Sequence, residues 1–232
     1  MKKNTLLAAM AAAALLAGLT SYTRAATWTE TGDAGQTIPT VQGTGSVIGN
    51  SLSTIFGSIG APDDVDLYAI NIATPSTFSA TTVNALTAGS GLDTELYLFN
   101  SSGAAVYAND DASGASLQST LPAGNANGPL AAGTYYLAIS TSGNEPVNFA
   151  NTLLFGADSP STTIRGPAPS VPGGLAGWDS TFADPSTGLY EIDLTGAFTA
   201  VPEVSPAISF LLQAILGIAL FGLCKRSTRH SA

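Results

Sequence analysis

Between its two ends the chain shows no sustained 3.6-residue hydrophobic period. What recurs is a short run rich in Thr, Val, Tyr, Leu or Ile, closed off by Gly, Pro, Asn or Asp. Such dense punctuation does not suit a helical bundle and predicts an all-β sandwich. Residues 63–72 make the first clear strand, with Tyr68, Ile70 and Ile72 on one face at a strand's period of two. Residues 78–83 make a weaker one. Residues 94–99 (TELYLF) are apolar on both faces, Leu96 and Leu98 on one, Tyr97 and Phe99 on the other. That suits a central strand covered on both sides. The turn 100–103 folds residues 104–108 back as a hairpin, and Asn109, Asp110 and Asp111 break the sheet. Tyr135, Leu137 and Ile139 share a face in residues 134–139, as do Tyr190, Ile192 and Leu194 in residues 190–195. The run GPAPSVPGG at 166–174 cannot be regular structure. Residues 26–56 read as an irregular lead-in with one or two short strands.

The two ends are of a different kind. Residues 1–25 read as a secretory signal peptide: Lys2 and Lys3, an apolar run over 6–19, then small residues for cleavage. Residues 201–232 open on Val201, Pro202, Glu203 and Val204. The 18 residues 207–224, bounded by Ala207 and Cys224, carry no charge, and Lys225, Arg226 and Arg229 follow. As a single transmembrane helix that run would be roughly 27 Å long, just enough to cross a hydrocarbon core. The basic cluster would hold the C-terminus in the cytoplasm. The alternative is a buried C-terminal helix, although a core helix rarely lacks a polar stripe. Cys224 is the only cysteine, so no internal disulfide can form.

With both ends set aside, Arg165 is the one basic residue left against 16 acids, a net charge of −15. Such a surface repels nucleic acid and anionic polymers unless cations bridge them, and it favours divalent cations. Few acids can find a basic partner, so some must be solvated or metal-bound.

The C-terminal order of Val201-Pro202-Glu203-Val204, apolar run and basic end resembles the PEP-CTERM sorting signal of Gram-negative bacteria. Val204 stands where that signal has its second proline. The resemblance implies recognition by an exosortase-type processing enzyme, cleavage near Pro202 and Glu203, and release toward the cell surface or extracellular matrix, often alongside exopolysaccharide. Before processing, the same residues would anchor the chain in the membrane. A second resemblance lies in the middle. GSIGAPDDVDLYAINI, DTELYLFNSSGAAVYANDDA and LAAGTYYLAIS, in that order over 57–141, are similar to the bacterial pre-peptidase C-terminal (PPC) domain. That resemblance implies a small, non-catalytic, jelly-roll-like β-sandwich of secreted proteins, with related modules that bind calcium, collagen or glycan. The expected division is therefore signal peptide 1–25, lead-in 26–56, sandwich 57–200 with an extension from about 142, and sorting and anchor segment 201–232.

Catalytic constellations are scarce. The single histidine, His230, sits in the tail, which removes a Ser-His-Asp triad, a Cys-His pair and a His-rich zinc site. A carboxylate pair such as Asp66 with Asp93 or Glu95 could still hydrolyse a glycoside. Calcium takes six to eight oxygen ligands, and Asp63, Asp64, Asp66, Asp93, Asn109, Asp110 and Asp111 are the candidates. The alternative is that these residues cap turns through their own backbone. Tyr136 and Trp178 are the candidate sugar-stacking rings, while the other tyrosines read as core. The expected role is a non-enzymatic surface or exopolysaccharide-matrix protein, processed by signal peptidase and an exosortase-type enzyme. A calcium-dependent glycan- or protein-binding module at the membrane is the second expectation, and a carboxylate glycosidase the third.

Overall fold

The computed structural model describes residues 25–45, 50–157 and 160–200. The expected signal peptide, the Val201–Val204 motif and the apolar run 207–224 with its basic end lie outside the described residues. Among the described residues no helix is long and apolar enough to cross a membrane.

Among the described residues, besides two single 3-10 turns, there are twelve strands and one short α-helix: β1 (Ala26–Thr29), β2 (Gln42–Gly43), β3 (Ser51–Ile59), β4 (Val65–Ile72), β5 (Ser79–Thr81), α1 (Ala85–Ser90), β6 (Thr94–Asn100), β7 (Ala105–Asn109), β8 (Thr120–Leu121), β9 (Gly133–Thr141), β10 (Glu145–Val147), β11 (Gly177–Asp179) and β12 (Gly188–Thr199). The main hydrogen-bonded path runs β1-β3-β12-β4-β9-β6-β7, with β2 beside β4, and β5 joining β12 to β8. β12 turns the corner. Its early part pairs with β3 and β5, and after an irregularity between Asp193 and Ala197 its last residues also reach β4. Gly196 sits in that irregularity at φ 71°, where a Cβ would press on Thr77 and the Phe78 backbone. Such a bulge is the usual means by which one strand serves two packed sheets.

The alternation read from the sequence separates two cores. Tyr68, Ile70 and Ile72 of β4, Leu96 and Leu98 of β6, and Tyr135, Leu137 and Ile139 of β9 meet Ile55, Tyr190, Ile192 and Leu194 inside the sandwich. On the outer face of the same strands lie Leu67, Tyr97, Phe99, Tyr136 and Ala138, covered by Leu154, Phe155, Leu175 and Trp178. The expectation that residues 94–99 are covered on both sides is met, and the covering layer is the extension. Phe155 and Trp178 pack edge-on or tilted against Tyr97 and Phe99 at centroid distances of 5.4 to 6.3 Å.

Two expectations need correction. The lead-in holds β1, β2 and most of β3 where one or two short strands were expected, and β3 is nine residues long and pairs along most of its length with β12. A division at 56/57 therefore falls inside a core strand. Its buried residues, Leu52, Ile55 and Ile59, break the period of two, which is why the pattern was hard to read. Tyr136, expected at the surface, is 5% exposed. Burial of a side chain that large contributes about 1.5–3 kcal/mol, and the extension supplies the contact.

The extension is held by charge as well as by packing. Arg165 is the only basic side chain among the described residues and is buried. It pairs with fully buried Glu95 of β6 and, at 2.8 Å, with Glu145 of β10, while its guanidinium lies 5.7 Å from the Tyr97 ring centre. Its backbone pairs in both directions with Ala108 of β7, at 2.8 and 2.9 Å. Burial pulls the Arg165 guanidinium down to about 10 and pushes Glu145 up to about 7.

Candidate functional site

The seven oxygen-bearing candidates do not form one site. Four of them, Asp66, Asp93, Asp110 and Asp111, fall into two groups near the C-terminal half of β9, where Val65 and Asp66 of β4 pair with Ser140 and Ile139, and Thr94 of β6 pairs with Thr141.

The first group is Glu30, Asp33 and Asp66, whose carboxylate oxygens come within 4.8 Å of one another. Asp66 lies on the inner face of β4, two residues before Tyr68, and is 0% exposed. The Tyr190 hydroxyl donates to its Oδ2 at 2.6 Å, and the Tyr190 and Tyr68 hydroxyls are 2.6 Å apart. Its carboxyl also shares a hydrogen bond with that of Glu30. Glu30 follows β1, where the parallel pairing with β3 carries it to Ser58, whose N–H donates to Oε2 at 2.9 Å. Its Oε1 accepts from Ala34 N–H at 3.1 Å. Asp33 is exposed, and its Oδ1 accepts from Gly35 N–H at 2.9 Å. Gly57 makes room for this arrangement, since a Cβ there would collide with the Tyr190 hydroxyl.

Burial pushes the Asp66 carboxyl up to about 8, with the nearby charges of Glu30 and Asp64 acting the same way and the Tyr190 hydrogen bond opposing them. Burial also raises Glu30. Of the residues expected beside Asp66, Asp64 spends its Oδ2 on Gly60 N–H at 2.7 Å, and Asp63 is exposed in the turn. Neither belongs to the cluster. Glu30 and Asp33 were missed because they stand in the lead-in, and only the parallel β1–β3 pairing brings them to Asp66. Two carboxylates three residues apart, with no basic residue nearby in the sequence, were the available signal.

The second group is Asp93, Asp110 and Asp111, which the sequence did nominate and the fold brings within 4.8 Å. Asp93 precedes β6, and Asp110 and Asp111 follow β7. Ser142 Oγ donates to Asp110 Oδ2 at 3.3 Å and Ser161 Oγ to Asp111 Oδ2 at 2.6 Å. Burial pushes Asp93 up to about 7, helped by the charges of Asp110, Asp111 and Asp184. Asn109 is a strut here: its carbonyl accepts from Thr120 N–H at 2.8 Å and its amide donates to Asp111 C=O at 3.1 Å. In both groups the donors are hard oxygens, the set that calcium prefers. A cation would take the place of the proton that the Asp66 and Glu30 carboxyls share.

The remaining candidates are placed elsewhere. Glu95 faces the outer core and is locked onto Arg165, with Gly143 N–H donating to its Oε2 at 3.2 Å. Trp178 is half-buried, with its indole N–H donating to the Gln36 carbonyl at 2.7 Å. Neither its ring nor that of Tyr136 stands clear as a stacking platform.

Residues 64–141 match the family model described as the bacterial pre-peptidase C-terminal domain. That span runs from the residue before β4 to the end of β9. It holds Asp66 and the whole Asp93 group, but leaves out Glu30, Asp33 and the extension. No curated protein matches the chain.

Proposed function

We propose that the chain is a non-enzymatic exported protein of the cell surface or exopolysaccharide matrix, built on a jelly-roll-like module whose acidic end takes calcium. The observation that carries this reading is the state of its buried carboxylates. Glu95 is held by Arg165, and Asp66 is enclosed, accepting from Tyr190 and sharing a hydrogen bond with the Glu30 carboxyl. Both acids nominated for hydrolysis with Asp93 are thus committed inside the fold. Glu30, Asp33 and Asp66 would hold one calcium, and Asp93, Asp110 and Asp111 a second. A bound cation would neutralise carboxylates that otherwise repel one another and would tie the lead-in to β4.

Export rests on the signal peptide and tail read from the sequence, with signal peptidase and an exosortase-type enzyme as processing partners and the membrane as a transient one. The test is intact mass of the protein recovered from cell fractions. Loss of residues 1–25 and an end near Pro202, in the surface or extracellular fraction, is the expected result. An unprocessed chain in the cytoplasm would contradict it. Asp33 favours a second reading, a calcium-dependent glycan- or protein-binding module, because its exposure leaves one side of the first cluster open to solvent. Glycan or protein capture abolished by EDTA would select that reading.

A further inference from the structure

At the other end of β6, β7 and β9 lies a groove of about 570 Å³, bordered by the β6–β7 turn, the loop before β9 and Pro167 of the extension. Its size is ordinary for a small-molecule site. Its chemistry is unusual for this molecule, since none of its lining residues is an acid or a base. We propose that this groove binds a neutral oligosaccharide.

Three observations support that class of ligand. The polar lining consists of amides and hydroxyls, including Asn100, Asn127 and Thr134, beside an apolar wall that includes Leu130 and Pro167. A pyranose offers the same pairing, with hydroxyls at its edge and C–H groups on its faces. The second observation is charge. The acids all lie elsewhere, and the one described base, Arg165, is buried against Glu95 and Glu145. An anionic ligand would meet a repulsive protein with no cation in the groove, and a cationic one would find no carboxylate there. The third is rigidity. Asn100 pairs with Tyr135 across β6 and β9, and its Oδ1 accepts from Ser102 N–H, Ser102 Oγ and Ala104 N–H at 2.9, 2.7 and 3.1 Å. What Asn100 has left to offer is its amide NH2. The Tyr135 hydroxyl donates to Ala131 C=O at 2.7 Å and fixes the loop. Leu130 is nonetheless 92% exposed on that fixed loop.

The inference deepens the matrix reading by naming a partner class, but binding at the groove does not require calcium or tail processing. The test is saturation-transfer NMR on the full chain in a sugar-free detergent, with EDTA present. The probes are maltohexaose, cellohexaose and laminarihexaose, with hexagalacturonate as the charged counterpart. Transfer to at least one neutral hexasaccharide and none to hexagalacturonate is expected. Ala132→Trp, which fills the groove from an exposed position, and Asn127→Ala should each weaken binding at least tenfold without moving the melting temperature. Silence from all three neutral sugars, preference for hexagalacturonate, or binding unchanged in both variants would overturn the proposal. So would displacement of the bound sugar by decaproline, which would assign the groove to a peptide. A failure here leaves the cell-fraction result standing, and the reverse holds too.

Discussion

The strands β6, β7 and β9 run between two ends of opposite chemistry. One end gathers Asp93, Asp110 and Asp111, with Asp66, Glu30 and Asp33 alongside on the neighbouring strands. The other end, roughly 20 Å away along β6 at about 3.3 Å per residue, is the charge-free groove of Asn100 and Tyr135. The same backbone register builds both, so the difference is one of side chains at strand termini. An acidic domain that keeps one end free of charge separates a region crowded with carboxylates from one that has none.

Arg165 serves both ends, and its loss should have the largest effect. The guanidinium satisfies Glu95, two residues from Asp93, while the next residues, Gly166 and Pro167, run to the groove. Arg165→Leu should cost about 3–5 kcal/mol, because it leaves a buried carboxylate uncompensated. Denaturant unfolding would measure that, and adding Glu95→Gln should recover much of the loss. A cost below about 1 kcal/mol would mean the extension is held by its aromatic contacts alone.

The next effect separates the ends by pH. Asp66 at about 8, and Asp93 and Glu145 at about 7, all sit above their ordinary values. The folded state therefore holds protons that the unfolded chain releases, so this stability is complete below about pH 4 and is lost as pH rises through 7 to 8. In EDTA the melting temperature should fall from pH 5 to pH 8.5. Asp66→Asn should flatten that slope, since it removes the largest of the three shifts. A melting temperature that rises over the same range would break the comparison. The smallest effect belongs to the uncharged end, where Ala132→Trp should change stability by no more than about 0.5 kcal/mol at any pH.

Much of this was legible from residue pattern. Residues 65–72, 94–100 and 133–141 alternate in a way that fixes both their strand character and their two buried faces. The Asp93 group was legible because its members flank strands that pair through the β6–β7 hairpin and β9, so local order brings them together. Glu30 and Asp33 were not legible, because their approach to Asp66 depends on a parallel β1–β3 pairing that no turn signal announces. The ion pair was half legible: Glu95 in an otherwise apolar strand needs a partner, and Arg165 was the only base available. The groove gave no signal at all. Its lining comes from three separated segments of small and neutral residues, each of which reads as ordinary loop or strand.

The acidic end is the claim on which the rest leans, and calcium titration followed by thermal unfolding tests it most directly. At pH 7.5, calcium at a hundredfold excess over Kd should stabilise the wild type by about 2.7 kcal/mol per site, a rise of several degrees. Asp66→Asn should lose part of that gain, and Asp66→Asn with Asp93→Asn nearly all of it. No rise in the wild type at millimolar calcium, or an equal rise in the double variant, would contradict the account.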